Sequence, residues 1–462
     1  MRDKFQKAER VLLIWGIFLI VILSTHVAIG AAELKLADFK KANIDWRQAA
    51  GESIDVMVCK YYDTEVLETQ LSTFEKLTGI KVTYHSLPEV ELRRKALVSL
   101  AARSGAYDVL MPDIMGLPKF VKAGFIEPLD SYLVNPKLID KKWYDRESVL
   151  LASRGAGEVE GATYAFPFTC EASELMYRKD LFDQAGIAKA PDTFEELWNA
   201  ARKLNNPPKR YGIGLRGKRG EGLNIYVWSS FFRGFGANFF LNFPFDMTPT
   251  VASPEGIAAT EFYAKILQDY GPIGPATWSW EEIIMALQRD KIAMSIDAID
   301  IAPLIEDPEK SETAGKWAFS VIPGGKGGRY PGIFSWLLGI DKASKKKTAA
   351  WLFIQFATSP PAVYERTLKT GAASRLTIRN DPQWQKDLLY VGKGTWLEAV
   401  TKSLEIGDPG YRPRFEYWIE VGDTLGIEVE ATIAGEKDAK AAMERAQAKI
   451  GALMRDKGLL TW

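Results

Sequence analysis

Between residues 54 and 111 the chain alternates strand and helix periodicities in an order that leaves few folds open. Ile54–Cys59 is a short continuous apolar run, the pattern of a buried strand. Asp63 then opens a helix whose Leu67, Leu71, Phe74 and Leu77 share one face, and Gly79 ends it. A second strand follows at Ile80–Tyr84. Ser86 with Glu89 makes a capping-box signature before a helix carrying Leu92, Ala96 and Leu100, and Tyr107–Met111 is a third strand. This βαβαβ order predicts an α/β fold with a parallel sheet, helices on its faces and ligands at the carboxyl ends of the strands.

The middle of the chain repeats the pattern. Leu175–Tyr177, Tyr211–Leu215 and Ile292–Ile296 are strand-like, and Thr193 with Glu196 caps a helix bearing Phe194, Leu197, Ala201 and Leu204. Ser253-Pro254-Glu255 and Ser279-Trp280-Glu281-Glu282 start two more helices. A second α/β lobe is implied, and 462 residues with 47% hydrophobic content suffice for two cores. No period of about 20 to 50 residues recurs, which excludes a solenoid or propeller. The last helix, near Lys437–Lys457, carries mixed charges and reads as a solvated outer face.

Arg2, Lys4, Lys7 and Arg10 precede the apolar run Val11–Leu23, and small residues close it at Ala28-Ile29-Gly30-Ala31-Ala32, the pattern of a secretory signal. Taken through Ser24, Thr25 and His26, residues 11–29 could instead stay as a membrane anchor. Either reading places the protein outside the cytoplasm, on a periplasmic or extracellular face. No Cys follows the run, so lipid attachment there is excluded. Cys59 and Cys170 could form one bridge or remain two buried thiols.

Several function classes drop out. Fifty-nine basic and 59 acidic residues cancel, leaving no field for a nucleic-acid partner. Gly212-Ile213-Gly214-Leu215-Arg216-Gly217 matches a dinucleotide fingerprint literally, but Lys218-Arg219-Gly220-Glu221-Gly222 follows where a helix should start, so it reads as a turn. With His26 and His85 the only histidines, neither a zinc site nor a serine triad can be assembled. No metal or cofactor is expected, and any hydrolysis would rest on carboxylates alone.

Leu87-Pro88-Glu89 leading to Leu92-Arg93-Arg94-Lys95, Tyr107-Asp108-Val109-Leu110-Met111 and Ala123-Gly124-Phe125-Ile126-Glu127-Pro128-Leu129-Asp130 occur in that order. Ala165-Phe166-Pro167-Phe168 with Glu171, Tyr177-Arg178-Lys179-Asp180-Leu181-Phe182, Lys291-Ile292-Ala293-Met294 with Asp297, and Arg412-Pro413-Arg414 continue it. Together they resemble the family 1 extracellular solute-binding proteins of ABC importers over roughly residues 53 to 455, most closely the branch for sugar alcohols and small sugars, similar to sorbitol- and mannitol-binding proteins.

The resemblance implies a type II periplasmic-binding-protein fold, two α/β lobes with a ligand cleft between them. The lobes would comprise 52–168 with 300–337 and 169–299 with 338–462, behind the signal or anchor at 1–32. Three crossings would fall near Pro167–Glu171, Ser295–Asp300 and Ser335–Ile340. It further implies a monomer that binds a neutral sugar or sugar alcohol and hands it to the membrane permease, with no catalysis.

Carbohydrate binding needs rings for C–H faces and fixed polar groups for hydroxyls. Asp113, Glu171 and Asp297 are the acceptor candidates, each at or past a strand end. Asp113 reads equally as a cap on the helix reaching Phe120, and Asp297 has a similar alternative. A carboxylate beside Phe166, Phe168 and Cys170 is costly unless paired or ligand-bound, which singles out Glu171. Arg216 is a candidate donor, or a solvated turn residue. Among the rings, Trp336 in Gly332-Ile333-Phe334-Ser335-Trp336 is the stacking candidate. One of Trp278 and Trp280 should face ligand, whereas Trp228 reads more as core. Tyr62 and Arg375 are carried over from matching loops. Two alternative functions share this site: a secreted glycoside-acting enzyme using two of the carboxylates, and an anchored sugar sensor.

Overall fold

The first βαβαβ unit forms where its periodicity places it. β1 (Ser53–Cys59) pairs in parallel with β2 (Lys81–Leu87) and with β3 (Val109–Leu110). The connecting helix Tyr62–Thr78 buries Leu67, Phe74 and Leu77, and Gly79 stops it at a left-handed φ of 74° that a side chain would strain. The computed structural model describes residues 34–460, so the expected signal or anchor lies outside the described residues.

Two local expectations are corrected. β2 runs through Ser86 to Leu87, and the next helix, Glu89–Ala101, starts behind Pro88 without a capping box. Pairing with β1 holds these residues extended as far as Cys59 opposite Leu87, so the ladder wins over the local cap. Tyr61, not Asp63, is the N-cap of the preceding helix, and its N–H donates to Thr64 Oγ1 at 3.2 Å.

After a hairpin of β4 (Glu158–Val159) and β5 (Ala162–Thr163), β6 (Ala165–Pro167) joins the first sheet and β7 (Glu171–Arg178) founds the second. β8 (Phe240–Asn242) and β9 (Asp246–Pro249) form another hairpin. β10 (Met294–Ala298) and β11 (Trp317–Val321) flank β7 antiparallel, and β12 (Ile333–Phe334) pairs with its start. β13 (Leu337–Ile340) completes the first sheet, in the order β2-β1-β3-β13-β6. Tyr211–Leu215 makes only isolated bridges, to Ile292 and Ser295, instead of a strand.

The strand pairing redraws the expected lobe boundaries. β11 lies within 300–337, expected in the first lobe, yet pairs with β7 in the second sheet. β13 belongs to the first sheet, and the helix Lys347–Ala357, expected in the second lobe, packs on it. Partner choice between sheets is a long-range property that local periodicity does not carry. The chain passes between sheets at 168–170, joining β6 to β7, and at Ser335–Trp336, joining β12 to β13. The expected crossing at 295–300 is instead a strand of the second sheet, and the chain returns to that sheet at β11. A further passage links the helix Pro360–Thr370, packed on Tyr62–Thr78, to the helix Thr395–Ile406, packed on β7 and β11.

The predicted caps at Thr193 with Glu196, at Ser253 and at Ser279 with Glu282 are present. The last helix, Ala439–Asp456, buries Ala442, Met443, Ala446, Ile450 and Met454, so only its opposite face is solvated. Cys59 and Cys170 are both buried and unbridged.

Candidate functional site

A cavity lies where the two sheets meet. Cys59, Tyr61 and Tyr62 reach it from the end of β1, and Glu89 from the next helix. Glu171 enters from the start of β7, and Ala298, Asp300 and Ile301 from the end of β10. Arg216, Gly222, Tyr226 and Trp280 come from the segment between β7 and β10, and Phe334 and Trp336 from the β12–β13 crossing. The site is therefore built at strand ends from both sheets, as a parallel α/β architecture favours.

Its apolar wall is a chain of rings. Trp336 lies 6.1 Å from Tyr61 at a 36° tilt and 5.3 Å edge-on from Phe334, which in turn meets Tyr226 at 6.1 Å. The Trp336 backbone is fixed to the other crossing: its N–H donates to Thr169 Oγ1 at 3.2 Å, and the Phe168 N–H donates to its carbonyl at 2.8 Å. Arg216 lies 4.8 Å over the Tyr226 ring.

The polar groups divide into a neutralised pair and an unneutralised one. Asp297, fully buried, accepts from Arg216 Nε and Nη2 and from the Ala298 N–H, while Arg216 Nη1 donates to the Gly222 carbonyl at 2.9 Å. Asp297 thus orients Arg216 and does not itself line the cavity. Glu171 is 6% exposed, and its Oε1 accepts from Thr169 Oγ1 at 2.8 Å. Asp300 is 1% exposed, with the Tyr62 phenol beside it and no cation paired to it. Burial, then the neighbouring Asp300, push the Glu171 carboxyl well up; burial and Asp63 push Asp300 up to about 8.

The cavity rim is closed by contacts between the halves. Arg93, on the Glu89–Ala101 helix, sits 3.6 Å from Glu221, itself paired with Arg412. Gly222 approaches so closely that a Cβ there would meet Glu89 Oε1 at 2.1 Å. Lys119 reaches Glu420 at 2.6 Å.

A two-sheet α/β architecture with its cavity at the crossings is matched by the sequence profile of the bacterial extracellular solute-binding proteins over residues 51–364. The chain belongs to that family. Among relatives of this solute-binding protein, the erythritol/L-threitol-binding protein of Mycolicibacterium smegmatis is 28% identical over 352 residues, 72% of this chain and 71% of the relative. The mannitol-binding protein of Pseudomonas aeruginosa is 27% identical, covering 83% of this chain and 88% of the relative. A solute-binding protein of an ABC transporter from Agrobacterium radiobacter, solved with ribitol, superposes with a TM-score of 0.80 at 26% identity, covering 87% of this chain and 99% of that one.

Five candidates of this solute-binding protein line the cavity: Tyr62, Glu171, Arg216, Trp280 and Trp336. Of the tryptophan pair, Trp280 faces it, while Trp278 is half-buried against a separate apolar cluster. The other candidates have structural partners. Asp113 Oδ1 accepts from the Met115 and Gly116 N–H groups at 2.8 Å each, capping the turn into the helix Leu117–Lys122, and its Oδ2 pairs with Arg93 at 2.8 Å. Trp228 is fully buried, its ring tilted 4.6 Å from that of Phe232, with Nε1 donating to Thr260 Oγ1. Arg375 is fully buried and donates to the Thr358, Tyr144 and Asp145 carbonyls and to Ser148 Oγ.

Cys59, Tyr61, Glu89, Tyr226, Asp300, Ile301 and Phe334 line the cavity without having been singled out. One was legible: in an extended crossing Phe334 and Trp336, two residues apart, share a face. Asp300 reads from sequence as a helix cap, and nothing local shows that its carboxylate turns inward.

Proposed function

We propose that this protein captures a short sugar alcohol or small sugar, of the erythritol-to-mannitol size, outside the cytoplasm and passes it to the permease of an ABC importer. The carrying observation is the ring wall from Tyr61 through Trp336 to Tyr226 set against Glu171 in one cavity. Rings cover the C–H face of a polyol, while Glu171 and the fixed Arg216 address its hydroxyls. The polyol names of the relatives support the same reading. Among the described residues no helix is long and apolar enough to cross a membrane. Binding without catalysis is favoured because a glycoside-acting enzyme needs an ionised carboxylate as nucleophile or base, whereas burial, with Asp300 beside Glu171 and Asp63 beside Asp300, drives each of the two toward the protonated form.

A thermal-shift series with erythritol, ribitol, D-mannitol, monosaccharides and amino acids tests this. A ligand of the folded state at 100 times its Kd adds about 2.7 kcal/mol, so the polyols should raise the melting temperature by several degrees. Stabilisation by amino acids alone would overturn the reading.

Because the cavity is complete only when both halves contribute, ligand should also reduce the radius of gyration in solution scattering. Trp336→Phe should change the ligand-induced fluorescence response more than Trp351→Phe, since Trp351 is fully buried and its Nε1 donates to the Leu138 carbonyl. Equal responses of the two variants would remove Trp336 from the site.

A further inference from the structure

We propose that Arg412-Pro413-Arg414 is a clasp, in which Arg412 fixes the ring wall of the cavity while Arg414 grips the opposite half of the protein and holds the cavity shut without touching ligand. The inference rests on the carbohydrate reading above and adds to it a positioning residue, Arg414, that governs release.

The three residues lie in the link between the helices Thr395–Ile406 and Trp418–Ile433. That link is anchored in the half built on the second sheet. Phe415 meets Phe240 of β8 edge-on at 5.8 Å, and the helix Trp418–Ile433 packs on the helices Asn224–Gly234 and Pro254–Tyr270.

Arg412 turns into this half. It is fully buried, pairs with Glu221 Oε1 and donates to the Glu221 carbonyl at 3.1 Å. Its guanidinium also lies 5.5 Å over the Tyr226 ring and 6.0 Å over Phe334, two rings that line the cavity. Trp418 Nε1 donates to the same Glu221 oxygen at 2.9 Å, so the acid, the cation and the ring wall are set as one unit.

Arg414 reaches across to the other half. Its Nε donates to the Ile114 carbonyl at 3.4 Å, Nη1 to that of Gly155 at 3.1 Å, and Nη2 to that of Ala156 at 2.9 Å. Ile114 follows β3, and the helix Leu151–Ala156 packs on β6, both strands of the first sheet. Gly155 and Ala156 close that helix, where carbonyls lack intrahelical donors and a basic side chain is favoured. A planar fork reaches several such acceptors at once.

The neighbouring contacts across the rim are weaker. Lys119 meets Glu420 at 2.6 Å, but their side chains are 30% and 37% exposed, and such pairs contribute little. Arg93 is 3.6 Å from Glu221 yet lies nearer to Glu89 and Asp113 of its own half, at 3.0 and 2.8 Å. The Arg414 fork is left as the main tie. Neither Arg414 nor any of its three partners lines the cavity. Ligand enters and leaves only with the halves apart, and parting them breaks these hydrogen bonds, so the fork acts on escape and not on encounter.

Stopped-flow binding of D-mannitol and ribitol, read by tryptophan fluorescence, tests this on Arg414→Met, which keeps an apolar stem and removes the donors. Release should be about tenfold faster or more, with association little changed, because the lost hydrogen bonds form after encounter. The free variant should melt near the parent, since the fork ties one half to the other and lies within neither. Release as slow as the parent's would overturn the proposal, as would affinity lost in step with a fall in melting temperature. Hydrogen exchange on the unmodified protein decides independently of whether the variant folds: ligand should slow exchange in residues 153–158 and 411–417, which lie outside the cavity lining. Unchanged exchange in either segment would overturn the clasp. A parent protein that binds no sugar or polyol would overturn the carbohydrate reading itself, and this inference with it.

Discussion

Replacing Arg375 by alanine lowers the melting temperature of the free protein by about 5 °C, while whatever fraction stays folded binds polyol as before. The guanidinium sits in an interior with no exposed surface and donates to three backbone carbonyls, those of Thr358, Tyr144 and Asp145, and to Ser148 Oγ. It also stacks 4.8 Å over the Tyr144 ring. Alanine leaves those acceptors buried without donors and opens a cavity of side-chain size, a combined cost of about 3–5 kcal/mol. Thermal melts with and without ribitol separate the two roles. Lost ligand response at an unchanged melting temperature would return Arg375 to the binding site, where the resemblance to the family had placed it.

Glu171→Ala gives the opposite profile. It should weaken polyol binding by about 1.5–3 kcal/mol, roughly tenfold to a hundredfold, because a hydrogen bond to a carboxylate is removed. The free protein should melt no lower than the parent, since Glu171 has no ion pair to lose and its burial is itself unfavourable. Asp297→Ala is the informative contrast. Its carboxylate is the partner of Arg216, whose side chain is only 8% exposed, and stripping a buried cation of its partner typically costs about 3–5 kcal/mol. The Asp297 variant should therefore lose stability and binding together, the Glu171 variant binding alone. Isothermal titration with D-mannitol beside thermal melts distinguishes the two, and equal affinity of Glu171→Ala and parent would remove Glu171 from the site.

The amino-acid sequence by itself determined the grammar of this protein. The alternating periods from Ile54 to Met111 dictate the parallel βαβαβ unit, because a strand buried on both faces and a one-faced helix can be satisfied together in few ways. Caps at Thr193, Ser253 and Ser279 were legible since a side-chain oxygen meets a backbone N–H within one turn. Glu171 could be singled out because a carboxylate among Phe166, Phe168 and Cys170 has no cheap burial. Only the tertiary structure decided which carboxylates are free. Asp113, Asp297 and Asp300 look alike in sequence, each an acid at or just beyond a strand end. Arg93 comes to Asp113 from another helix, Arg216 comes to Asp297 from 81 residues away, and no cation comes to Asp300. Likewise, nothing in the periodicity of Trp317–Val321 or Leu337–Ile340 says which sheet each will join. Local hydrogen bonds and hydrophobic period are written within a few residues; counter-charge and strand partner arrive from far along the chain, and only the folded arrangement brings them together.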